Sequence, residues 1–175
     1  MGNFGNLDWA DALYQRFVRV IVIIMAEESW TGIIDIGSKQ IVPREAVATG
    51  LLILSAEGID VVANGRSPKG DVREASTVAV IQAVKDTPRT LPHCHPIPIE
   101  ACNVDWEIEQ SGIRCTVTVR THWSTGVEME ALCGVNAGLL CAWDMLKPIE
   151  KDNHGQYPNV TIEGVRVLRK SKGQS

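Results

Sequence analysis

Asp144 and Lys147 stand three residues apart near the end of a long apolar run. That spacing puts an acid and a base on one helical face, where they can hand protons to one another or to a bound molecule. A lysine suits the negative end of a helix, but an aspartate there is unfavourable, so Asp144 needs a reason beyond helix stability. A second candidate is Lys69-Gly70-Asp71, just ahead of a helical stripe. Free amides and the dipole at a helix start favour an anion, and a lysine adds a point charge. A third is His93-Cys94-His95, set between Leu91 and Pro98 among three prolines that forbid regular structure. These side chains could ligate a metal or touch a substrate. No further ligand stands at metal spacing, and Cys94 as a nucleophile would need a nearby base and a lowered pKa. Glu128 and Glu130 lie at the other end of the apolar run, where an acid suits the helix dipole. Lysines for phosphate and an acid–base pair for proton transfer together suit a phosphorylated, nucleotide-like substrate.

The element that must position most of these groups is Thr125 to Lys147. Thr125-Gly126-Val127-Glu128 reads as a capping box that opens a helix, and Pro148 reads as its end. Between them nearly every residue is apolar or small, the pattern of a helix buried on all sides. Glu130 and Asp144 are fourteen residues apart, about 21 Å along a helix at 1.5 Å per residue. One small-molecule site cannot span that distance. Either the two ends do different jobs, or a second copy of the chain brings opposite ends together across a two-fold axis.

Around this helix, Ile33 to Ile36 reads as a short strand, and Pro43 to Leu54 is ambiguous between strand and helix. Ser55 is expected to cap a short helix towards Ala63, and Asn64 to Pro68 is a turn cluster. Val72 to Asp86 carries a helical stripe. Val104, Trp106 and Ile108, then Ile113, Cys115, Val117 and Val119, alternate with polar residues around Ser111-Gly112, the pattern of a hairpin with one wet face. Val160 to Leu168 reads as a last strand with Lys170 and Lys172 trailing. If 44–54 is a strand, the order is βαββαβ, a ferredoxin-like α+β fold with an antiparallel sheet covered by helices on one face.

At 175 residues the chain is long enough to bury a core without staples. Its net charge of −4 offers no broad basic surface for nucleic acid. Five cysteines, an odd count with no Cys-x-x-Cys, read as reduced, buried thiols of a cytoplasmic protein. Neither Val20 to Ala26 nor the thirteen uncharged residues between Glu130 and Asp144 is long enough to cross a membrane. Residues 1–30 read as an extension of uncertain structure ahead of a domain spanning 31–172.

Lys69-Gly70-Asp71-Val72, Leu91-Pro92-His93-Cys94-His95-Pro96, Gly126-Val127-Glu128-Met129-Glu130-Ala131-Leu132 and Trp143-Asp144-Met145-Leu146-Lys147 with Lys151-Asp152, in this order, resemble the cyclic pyranopterin monophosphate synthases, the MoaC family of molybdenum cofactor biosynthesis. The resemblance covers roughly 33–172. It implies a ferredoxin-like subunit, with residues 44–54 as strand, in a hexamer of three dimers with the site at the dimer interface. It implies rearrangement of a cyclised dihydro-GTP to cyclic pyranopterin monophosphate with release of pyrophosphate, and no metal or organic cofactor. It further implies Asp144, Lys69 and Lys147 as catalytic groups. His93, Cys94, His95, Met129, Glu130, Glu128, Arg44 and Lys170 would contact the substrate or line its site. The family's histidine-bearing N-terminal segment is not recognisable before Ile33, its glycine-rich tail is shortened here, and Trp143 and His93 stand where it usually has tyrosine and leucine. The rival expectation is a ferredoxin-like oligomer that binds a nucleotide without turning it over.

Overall fold

The computed structural model describes residues 32–174; the expected extension at 1–30 lies outside them. Four strands form one antiparallel sheet: β1 (Val42–Ile53), β2 (Ala101–Glu109), β3 (Gly112–Trp123) and β4 (Thr161–Lys172), in the spatial order β2-β3-β1-β4. The helices are α1 (Ala56–Ala63), α2 (Val72–Lys85), the single turn α3 (Thr87–Thr90) and α4 (Glu128–Glu150). This is the ferredoxin-like α+β order, with helices packed on one face of the sheet.

Strand alternation sorts the residues between the two faces. Ala46, Ala48 and Leu52 of β1 and Ile113, Cys115, Val117 and Val119 of β3 point at the helices and are fully or nearly fully buried. They meet Val80 and Val84 of α2 and Ala131, Val135, Leu139, Ala142 and Leu146 of α4. Each buried Leu or Val there contributes on the order of 1.5–3 kcal/mol. Two glycines let α2 reach α4: a Cβ on Gly134 would come within 2.8 Å of Val84, and one on Gly138 within 2.5 Å of Val80. The opposite face is polar. There Glu45 accepts from Arg120 (2.8 Å) and pairs with Arg169 (3.0 Å), and Thr49 and Thr116 share a hydrogen bond.

Several elements differ from the sequence reading. Ile33–Ile36 forms no strand: the Asp35 carboxylate accepts the Gly37 amide (2.8 Å), the Ile36 carbonyl accepts the Lys39 amide (3.0 Å), and these bonds turn the chain instead. α4 starts at Glu128 behind an N-cap, Val127, that makes no side-chain bond, so the expected capping box does not form. The helix also runs through Pro148 to Glu150. It is not buried all round: Met129, Asn136, Leu140, Asp144 and Lys147 follow one exposed line along it. β4 extends to Lys172 because Ala46 pairs with Lys170 and Arg44 with Lys172, which places both lysines in the sheet. All five cysteines are free, and only Cys115 is fully buried. Among the described residues no helix is long and apolar enough to cross a membrane.

Candidate active site

The end of α4 and the turn before α2 form one cluster. Gly70 adopts φ +103, a backbone conformation that favours glycine, and its amide closes the turn onto the Ser67 carbonyl (3.1 Å). Asp71 caps α2 by accepting the Arg73 and Glu74 amides (2.9 and 3.0 Å). The anion expected at this helix start is therefore the chain's own aspartate, and Lys69 turns elsewhere. Its Nζ donates to the Asp144 carboxylate and to the Asp144 carbonyl, both at 2.8 Å. Lys147 Nζ lies 3.3 Å from the other carboxylate oxygen. Hydrogen bonds from Lys69 and then Lys147 hold the Asp144 carboxyl below the usual range. Two ammoniums on one carboxylate leave a net positive, solvent-open site that suits an anionic guest.

The start of α4 carries a second cluster. Glu128 pairs with Lys170 on β4 at 2.8 Å, and its side chain folds over Gly126, which is why it does not close a capping box. Burial works to raise the Glu128 carboxyl. The Lys170 hydrogen bond, its own backbone amide and the charges of Lys170 and Arg44 outweigh that and bring it below the ordinary value. Arg44 donates to the Trp123 and Ser124 carbonyls (3.4 and 3.3 Å). These groups line a cavity of about 540 Å³ together with Lys39 and Lys172. The sequence reading did not include those two lysines in the site. Lys172 was within reach of it, because residues two apart on a strand share a face with Lys170. Four cations there face Glu128 and Glu45, and Glu45 is already engaged by Arg120 and Arg169.

The proline-bearing loop packs near the same end. Thr121 Oγ1 donates to the Pro98 carbonyl (2.6 Å) and the Glu100 amide to the Arg120 carbonyl (3.1 Å), which ties the loop to β3. His93 is exposed, while Cys94 and His95 are half-buried. Burial, then the charges of Glu130 and Cys133, push the Cys94 thiol up. It stays protonated at neutral pH, so its environment opposes the nucleophile reading. Glu130 is only 2% exposed, and burial raises its carboxyl, with nearby Glu128 adding to the effect. Met129 is 40% exposed on the outward line of the helix.

A model of the MoaC family matches residues 33–173. The chain belongs to the MoaC family. It is 48% identical over 145 residues to a protein of Aeropyrum pernix, covering 83% of this chain and 99% of the relative. It is 44% identical over 148 residues to one of Thermococcus kodakarensis (85% and 95%) and 47% identical over 142 residues to one of Methanosarcina mazei (81% and 90%). Each of these relatives is named a probable cyclic pyranopterin monophosphate synthase. Within this MoaC-family chain, Lys69, Asp144 and Lys147 come together, and so do Glu128, Arg44 and Lys170. Cys94 joins Glu130, whose charge in turn feels Glu128. Glu130 and Asp144 remain about 21 Å apart along α4, fourteen residues at the helical rise.

Proposed function

We infer that this chain is a cyclic pyranopterin monophosphate synthase, a lyase of molybdenum cofactor biosynthesis that rearranges a cyclised dihydro-GTP with release of pyrophosphate. The observation that carries this reading is the Lys69–Asp144–Lys147 cluster, in a chain 44–48% identical, along nearly their whole length, to proteins named probable cyclic pyranopterin monophosphate synthases. Opening the purine five-membered ring and building a pterin requires several proton transfers. An ionised Asp144 between two ammoniums keeps both the proton donors and an acceptor at one spot. Expelling pyrophosphate builds negative charge, which Arg44, Lys170 and their lysine neighbours in the cavity at the start of α4 are placed to hold. Glu128, Glu130, Met129, His93, Cys94 and His95 would line the pterin-forming side.

Both clusters serve one substrate when two copies of the chain pair so that the start of one α4 meets the end of the other. The 21 Å gap within a subunit supports this. So does Leu140, 57% exposed between Glu130 and Asp144, which a second copy would cover. In this reading residues 31–172 are the catalytic domain, the assembly is a hexamer of three dimers, and the enzyme works in the cytoplasm. The test is turnover: the purified chain given the cyclised dihydro-GTP should release pyrophosphate in step with cyclic pyranopterin monophosphate. Tight triphosphate binding without either product would instead mark a nucleotide-binding oligomer.

A further inference from the structure

Pro148 lies one turn beyond Asp144, inside α4. Proline has no N–H, so the helix cannot supply the donor that the Asp144 carbonyl would receive from a residue four positions on. Lys69 Nζ takes that place at 2.8 Å while also meeting the Asp144 carboxylate at 2.8 Å. The next carbonyl, Met145, accepts the Ser67 hydroxyl (3.1 Å), and the same hydroxyl oxygen accepts the Lys69 amide (3.3 Å). Beyond the proline the helix is held by Glu150. Its carboxylate accepts the Ser55 amide at 3.1 and 3.2 Å and the Ser55 hydroxyl at 3.0 Å. Pro148 itself is exposed, so burial of its ring does not offset the poor helix propensity of proline.

We propose that Pro148 is a positioning residue: by withholding an amide N–H from the Asp144 carbonyl it reserves that oxygen for the Lys69 ammonium and aims Lys69 at the Asp144 carboxylate. A lysine head on a flexible four-carbon stem swivels when it has one acceptor; a second acceptor fixed in the backbone sets its direction. The effect on rate rests on Lys69 and Asp144 acting as proposed above. The hydrogen bond does not, so the two can be read separately.

Two replacements isolate the N–H. Pro148→Ala restores it and suits a helix. Replacement of Pro148 by the α-hydroxy acid analogue of alanine also removes the ring but leaves an ester without an N–H. Both are compared with the parent in the intact assembly, through the lysine ammonium ¹⁵N–¹H signal of Lys69 (assigned by its loss in Lys69→Arg) and through kcat and KM. In Pro148→Ala the ammonium signal should broaden into fast exchange with water. Its kcat should fall about tenfold, the worth of one hydrogen bond to a charged group, with KM changed less than about twofold. The ester variant should recover both signal and rate. An ammonium signal untouched by Pro148→Ala, or an ester variant as impaired as the alanine one, overturns the proposal. A lost signal with unchanged kcat supports the positioning and overturns the catalytic reading of Lys69 instead.

Discussion

Glu130 and Asp144 lie fourteen residues apart on α4, and their surroundings treat the two carboxyls in opposite ways. At the start, where the dipole favours an acid, Glu130 is buried and its carboxyl is pushed up. Towards the finish, Asp144 is exposed and its carboxyl is pulled down by Lys69 and Lys147. The dipole predicts the reverse for Glu130, whereas Asp144 stands six residues before the last helical residue, Glu150, beyond the dipole's short reach. Burial outweighs the dipole at Glu130, because the dipole acts as only about half a charge at each helix end. On one helix, burial thus raises one carboxyl while paired lysines lower another.

The sharpest way to break this contrast is at the finish. Asp144→Asn keeps the shape but removes the charge that both lysines share. Turnover should fall by about 10²–10⁴-fold, the usual range for losing a positioned acid or base, with the elution volume of the parent kept in size-exclusion chromatography. Activity near that of the parent would remove Asp144 from the chemistry.

A smaller effect is expected at the anchor of the same end. Glu150→Ala leaves the Ser55 amide and hydroxyl without their carboxylate and should cost about 1–3 kcal/mol. Near 2–4 °C per kcal/mol for a chain of this size, the thermal midpoint should drop by several degrees. An unchanged midpoint would show that this contact does not hold the helix end.

The smallest effect sharpens the contrast at the start. The Glu130 carboxyl is raised in the folded protein, so its contribution to stability is full in acid, where it is protonated both folded and unfolded. That contribution is lost as pH rises through the folded value. Glu130→Gln should therefore unfold at a slightly higher temperature than the parent at pH 8 and show no such gain at pH 4. A gain at pH 4 that vanishes at pH 8 would reverse the assignment.

Much of the fold was legible because it rests on local rules. Ser55 caps α1, the Val104–Val119 hairpin alternates as expected except at Ile108, which is 42% exposed, and the last strand begins within a residue of its predicted start. The misses come from side chains whose partners lie far away in sequence. Glu128 fits a capping box until Lys170, 42 positions on, claims its carboxylate. Pro148 reads as a stop unless Ser55 is known to hold Glu150 beyond it and Lys69 to serve the carbonyl it strands. Ile33–Ile36 reads as a strand until the Asp35 side chain turns it. In the site, Asp144 with Lys147 was visible from spacing alone. The aim of Lys69 was not, since the helix start beside it was the nearer and more ordinary partner.

Mixing two inactive variants tests most directly whether opposite ends of two α4 helices make one site. Asp144→Asn damages only the finish and Arg44→Ala only the start, so a mixed dimer would carry one site with both defects and one with neither. Co-assembled from equal amounts after unfolding and refolding, the pair should recover about a quarter of the parent's pyrophosphate release, as random pairing of two-fold dimers requires. Mixed oligomers that form yet stay as inactive as either variant alone would contradict the shared site.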